Sequence, residues 1–138
     1  MAESSRDRFA RARVARLATA DARGVPHLVP IVFAVEGDTI YTAVDDKPKR
    51  SRMLRRLANV AANPHVAALV DHYAEDWTHL WWVRADGYGR IVDISDAEAA
   101  HGIDLLVERY APYQVRRPAG PVLVIEVARW ASWSAMQG

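Results

Sequence analysis

"VARLATADARGVPHLVPIVFAVEGDTIYTAV", residues 14–44, decides the fold. Two short breaks, DARG at 21–24 and EGD at 36–38, punctuate stretches rich in β-branched residues. The segment therefore reads as strand, turn, strand, turn, strand. The predicted strands are 14–20, 25–37 and 39–44, the last alternating Ile40, Thr42 and Val44 against Tyr41 and Ala43. Links this short require antiparallel pairing. Pro26 and Pro30 in the second strand have no N–H to give a ladder, so they are expected at an edge, at a bulge or facing open space where a ligand approaches.

Downstream lies "DDKPKRSRMLRRL", residues 45–57, in which Lys47, Lys49, Arg50, Arg52, Arg55 and Arg56 crowd together. It enters a predicted helix over 50–62, with Met53, Leu54, Leu57, Val60 and Ala61 on one side and Arg52, Arg55, Arg56 and Asn59 on the other. Asn63-Pro64 ends that helix. Further predicted elements are a strand at 65–73, a long strand at 78–94 bent near Asp86-Gly87 and Gly89, and a helix at 95–110 with Ser95 and Glu98 spaced as a capping box. Pro112 stops the helix, and 122–130 is the last strand. Ahead of the meander, Ser4 or Ser5 caps a short helix carrying Phe9. Short strands with few helices resolve their edges by closing into a barrel.

The chain of 138 residues is 51% hydrophobic and 25% charged, the balance of one soluble domain spanning 1–138. A net charge of +1 lacks the field of a general polyanion binder, so the basic run is a local feature. Together with the absence of a groove-reading motif, this argues against nucleic-acid binding. The absence of cysteine excludes disulfides, thiolate metal sites and cysteine nucleophiles. No apolar run reaches a membrane span and the N-terminal segment is not a secretory signal, so a cytoplasmic location is expected.

Basic side chains at a helix N-terminus oppose the dipole and unpaired N–H groups unless an anion compensates. The run is therefore either a phosphate site or a solvated basic face. His65, His72 and His79 are seven apart, a spacing that does not converge on a strand, so no metal site is expected. No serine has nucleophile context beside the Asp71-His72 pair. Of Trp77, Trp81, Trp82, Trp130 and Trp133, at least half belong to core and subunit packing, and Trp77 in its acidic loop is the one that borders a planar ligand.

Taken in order, "ATADARGVPHLVP", "YTAVDDKPKRSRMLRRL", "NPHVAALVDHY", "WWVRADGYGRI" and "GPVLVIEVARW" resemble the pyridoxamine-phosphate-oxidase-like class of coenzyme F-420-dependent oxidoreductases. The likeness covers almost the whole chain. It implies a mostly β fold with peripheral helices, a six-stranded antiparallel split β-barrel like that of flavin mononucleotide (FMN)-binding proteins. It further implies a homodimer with two cofactor sites at the interface. Lys47, Lys49, Arg50, Ser51 and Arg52 would surround the cofactor phosphate, while Pro30, Ile31, Val32, Thr42 and Ala43 run past the ring system. Trp77 and His79 would come from the partner chain.

Arg55 and Arg56 form a second basic tier, suited to the polyglutamate tail of the deazaflavin coenzyme F-420, which FMN lacks. The expected function is hydride transfer between coenzyme F-420 and a small unsaturated or quinone-like molecule. The cofactor carries the reactive atom, which accounts for the lack of a catalytic constellation. An FMN enzyme on the same scaffold and a deazaflavin carrier without turnover are the alternatives.

Overall fold

The computed structural model of the protein describes residues 3–44 and 50–136, and their side chains except at 50–54. The elements are α1 (Ser5–Arg11), β1 (Ala15–Ala20), β2 (Pro26–Ile31), β3 (Ala34–Glu36), β4 (Thr39–Ala43), α2 (Arg50–Ala62), β5 (His65–His72), β6 (Trp81–Val92), α3 (Ala97–Arg109), α4 (Ala111–Val115) and β7 (Val122–Ser134). All strand pairs are antiparallel, in one sheet ordered β2-β1-β5-β6-β7-β4-β3.

Among the described residues seven strands stand where six were expected, because the predicted strand 25–37 divides in two. Its first part follows β1 as far as the Ala15 to Ile31 pair, and its second joins β4 from the Ala34 to Tyr41 pair. Val32 and Phe33 bridge the two ladders. The sheet's two end strands are thus joined by two residues, so the sheet curls back on itself with a split in place of a ladder rung. Phe33 is fully buried beside Phe9, with ring centroids 4.9 Å apart, and its backbone still needs partners there. The Tyr110 hydroxyl accepts from the Phe33 N–H at 3.2 Å. It also lies 3.0 Å from the carbonyls of Phe33 and Arg13, donating to one at a time.

The turn chemistry at both hairpins is as the sequence dictates. The Asp21 carboxylate accepts from the N–H groups of Arg23 and Val25, and Gly24 takes φ 83°. Gly37, at φ 60°, occupies the two-residue link between β3 and β4. The register of β6 with β7 shifts between Asp86 and Gly87, where Ala128 of β7 is the extra residue without a partner, so the bulge predicted near Asp86-Gly87 lies on the facing strand. It begins only at Trp81, three residues later than predicted, because Asp76 caps a 3₁₀ turn at Trp77–His79 by accepting from Thr78 N–H.

Along β1 and β5 inward residues are buried and outward ones are not. Leu17, Val66, Ala68, Val70, Val83, Ala85, Leu123 and Ile125 meet inside the sheet, joined by Phe9 from α1 and Val60 from α2. Burying a side chain such as Phe9 contributes roughly 1.5–3 kcal/mol. β4 and the first half of β7 are instead buried on both faces, because α3 covers their outer side through Ala99 and Ile103 on Tyr41, Val122 and Val124. α3 is capped by Asp96, which accepts from Glu98 N–H, and not by the predicted Ser95, whose hydroxyl and N–H are both taken by Asp93.

α2 corrects the predicted helical faces. Asn59, expected on the basic face, is 5% exposed and donates through Nδ2 to the Thr19 hydroxyl on β1 at 3.1 Å. Ala61, expected inward, is exposed. A polar residue can face the core because β1 supplies its partner there.

Candidate functional site

At the split, β2 and β4 part and leave a cleft of about 180 Å³ lined by Pro30, Ile31, Val32, Thr42, Ala43, Arg56 and Tyr113. β2 is an edge strand, paired only with β1, so one side of its backbone is free of any ladder. Pro30 adds no N–H on that strand, and the Thr42 hydroxyl donates to the Val32 carbonyl at 2.8 Å, bracing the two walls across the gap. Tyr113 reaches the cleft from α4, the short helix opened by Pro112.

Arg56 enters from α2 and is half-buried, not on an exposed face as its helical position predicts. Its Nε is buried without a hydrogen-bond partner among the described residues. Burial pulls its pKa below the ordinary guanidinium value, with the Tyr113 phenol opposing. His27, on β2, has a buried Nδ1 that also lacks a partner among the described residues. Burial first, then the charges of Arg55 and Arg56, push its pKa below 6.5, so it is neutral at neutral pH. Arg55 is exposed. The walls are therefore mostly apolar or small, and the charged group described in the cleft is the Arg56 guanidinium.

Pro30, Ile31, Val32, Thr42 and Ala43, far apart in sequence, are brought together here with Arg56. Lys47 and Lys49 lie outside the described residues, as do the side chains of Arg50, Ser51 and Arg52. Trp77 and His79 do not line this cleft. Trp77 is 65% exposed and donates from Nε1 to the Tyr73 hydroxyl at 3.1 Å, and His79 lies 3.4 Å from the Asp76 carboxylate. Tyr113 and His27 escaped the sequence reading. The first lies just past Pro112, where the predicted helix stops, and the second gains meaning only beside α2.

A second concavity, of about 490 Å³, lies on the outer face of β1, β5 and β6, which no helix covers. Ala18, Leu28, Ala67, Leu69, Trp82 and Trp133 give it an apolar floor, with Arg16, Arg84 and Asp71 among its charged lining residues. The signal was present in sequence, since the outward positions of β1 and β5 hold Ala18, Ala67 and Leu69 where a solvated face would be polar. No group of three histidine or carboxylate side chains is placed to hold a metal among the described residues. No helix among them is long and apolar enough to cross a membrane.

The family model described as pyridoxamine 5'-phosphate oxidase matches residues 1–134. No curated protein matches the chain closely enough to count as a relative. A conserved hypothetical protein of Mycobacterium tuberculosis is similar in structure, with TM-score 0.72 and 24% identity over 98% of this chain and 86% of that one. The heme storage protein HutZ from Vibrio cholerae superposes with TM-score 0.70 at 15% identity, covering 90% of this chain and 87% of its own. An FAD-binding protein from Mesorhizobium loti gives TM-score 0.62 at 20% identity, over 90% and 87%. At these identities the likeness concerns the fold.

Proposed function

The chain belongs to the pyridoxamine 5'-phosphate oxidase family, and from that premise we propose that it is an oxidoreductase holding coenzyme F-420 at the split of its sheet. In this reading it moves a hydride between the deazaflavin and a small unsaturated or quinone-like molecule. The observation that supports it is the convergence of Pro30, Ile31, Val32, Thr42, Ala43 and Arg56 on one cleft. A free strand edge offers backbone groups to the polar rim of a flat ring system, apolar walls pack its faces, and the Arg56 Nε, buried without a partner among the described residues, is available to an electron-rich group. When bound, the cofactor supplies the atom that accepts and donates the hydride.

The chain's own part is to bind, orient and charge-balance. Lys47, Lys49, Arg50, Ser51 and Arg52 take the phosphate at the entry of α2, and exposed Arg55 meets the charge beyond it. Arg56 leaves that second tier for the cleft. A cleft of about 180 Å³ is smaller than the roughly 300–1,000 Å³ of ordinary small-molecule sites. One chain therefore supplies part of the site, and a homodimer supplies the rest, with Trp77 and His79 reaching in from the partner. The uncovered apolar face of β1, β5 and β6 is the natural surface for that pairing.

FMN is the alternative cofactor, favoured by the FAD-binding protein on the same fold. The test is a fluorescence titration of the purified protein with coenzyme F-420 and with FMN, followed by mixing with the reduced cofactor and a panel of acceptors. Coenzyme F-420 is expected to bind, and Lys49→Ala or Arg52→Ala to weaken it about tenfold or more with the fold intact, since a charged hydrogen bond is worth about 1.5–3 kcal/mol. Stoichiometric FMN without deazaflavin binding assigns the alternative. Binding without turnover of any acceptor indicates a carrier, and binding of haem in place of both overturns the reading.

A further inference from the structure

The outer face of β1, β5 and β6 carries its charges in two different ways. Arg84 is engaged within the chain, its Nε 2.6 Å from the Asp86 carboxylate on the same strand. Arg16 and Asp71 are exposed, and neither side chain has an ion pair or hydrogen bond among the described residues. The register places them: Arg16 stands directly across from Leu69 on β5, and Asp71 lies two residues beyond Leu69, on the same side of the strand. The cation and the anion are therefore diagonal neighbours, about 7–8 Å apart. Around them the floor is Ala18, Ala67, Leu69 and Trp82. An apolar surface with one unused charge of each sign is complementary to a copy of itself. A two-fold axis between the two charges sets each Arg16 against the partner's Asp71, because an isologous contact is reciprocal. A foreign partner of one sign would satisfy only one of them.

We propose that this face pairs with a second copy of the chain through reciprocal ion pairs between Arg16 and Asp71, and that the pairing lays the β5–β6 connection of one copy over the cleft of the other. This rests on the homodimer of the reading given above and names its contacts. On its other side Arg16 stands directly across from Pro30, which lines the cleft. An axis between diagonal neighbours makes the strands of the two sheets cross steeply, the orthogonal of the two common sheet packings. The partner's β5, once past the ion pair at Arg16, then runs out over β2 at Pro30. The segment it carries there is 73–79, with Tyr73 and Trp77 both exposed. Trp77 and His79 do not line the cleft of their own chain, and this arrangement brings them to the other one.

The experiment uses the full chain, with light scattering for mass and, separately, fluorescence titration with coenzyme F-420 and with FMN. The variants are Arg16→Glu, Asp71→Arg and the double reversal of both, each checked for native circular dichroism. The wild type is expected to be a dimer. Each single reversal sets like charges together at two symmetric places, and is expected to weaken dimerisation at least about tenfold. The double reversal is expected to restore it to within about threefold of wild type. Cofactor affinity is expected to fall with the dimer in the single variants and to recover in the double one.

The chain has no cysteine, so cross-linking gives a second measure that does not depend on charge. An equal mixture of Arg16→Cys and Asp71→Cys chains, oxidised in air, is expected to form a disulfide-linked dimer that neither variant forms alone. No link in the mixture, or self-linking of either variant alone, places the axis elsewhere and overturns the proposal. So do single reversals that dimerise like wild type, and a double reversal no more dimeric than the single ones. Dimers that break while cofactor affinity holds overturn the delivery of the loop. A wild type that stays monomeric when concentrated removes the face as an interface. Failure of the wild type to bind either cofactor, with the reversals behaving as expected, removes the cofactor reading and leaves the pairing standing.

Discussion

Replacing Tyr110 by phenylalanine removes one oxygen and little else, and it isolates how the split in the sheet is held. The hydroxyl is the only described partner of the Phe33 N–H, at 3.2 Å, and a partner of the Phe33 carbonyl, at 3.0 Å. Phe33 is fully buried and Tyr110 is 8% exposed, so water does not readily replace the lost group. A buried backbone group left unsatisfied costs about 1–3 kcal/mol. The hydroxyl has one proton to share between the Phe33 and Arg13 carbonyls, so the second loss is partial and the expected total is about 2–4 kcal/mol. At about 3 °C per kcal/mol for a chain of this size, the melting temperature falls by roughly 6–12 °C. Urea unfolding at fixed protein concentration should show a lower midpoint with an unchanged slope. A loss under about 0.5 kcal/mol would mean that Phe33 needs no surrogate rung, and the account of the split would be wrong.

Gly87→Ala sets a Cβ against the Glu126 carbonyl and about 3.0 Å from Val127 Cα in the bulge, where backbone has to move. It is expected to destabilise by roughly 1–3 kcal/mol in the same unfolding assay, and a neutral effect would show that the bulge is pliable. His101 Nε2 lies 2.7 Å from the Glu36 carboxylate, which raises the histidine pKa above 6.5 in the folded state. Its contribution is therefore complete below about pH 6.5 and lost as pH rises through the folded value. Melting temperatures of wild type and His101→Gln should differ most at the acid end of that window and converge above it; a constant difference would refute the linkage. Leu28, 67% exposed on the apolar outer face, is expected to be covered in the dimer. Light scattering should find wild-type dimers and largely monomeric Leu28→Arg, and a wild type that stays monomeric when concentrated would remove that interface.

The meander over 14–44 was legible because its turns are chemically explicit: Asp21 with Gly24, and Gly37, each do in the fold what their residue types require. The edge position of Pro26 and Pro30 was equally readable, since a missing N–H excludes a central strand. What could not be read was that the second strand breaks at Val32-Phe33, because nothing in "VPIVFAVE" interrupts the β pattern. The break exists because Tyr110, 77 residues later, satisfies Phe33. Asn59 was placed on the wrong face for the same kind of reason: periodicity sorts residues by polarity, and only Thr19 across the interface makes a buried asparagine acceptable.

By itself, the sequence determined where the chain turns and which segments form strands or helices, because backbone sterics and solvent partition act on neighbours a few positions apart. It also marked a cationic run at a helix entry. Only the tertiary structure decided that Pro30 to Val32, Thr42 and Ala43 share one cleft, and that Arg56 points into it while Arg55 stays in water. α3, by covering β3, β4 and β7, leaves the face of β1, β5 and β6 open. Those outcomes depend on contacts between segments remote in sequence, and no local pattern encodes which of two adjacent arginines the fold will bury.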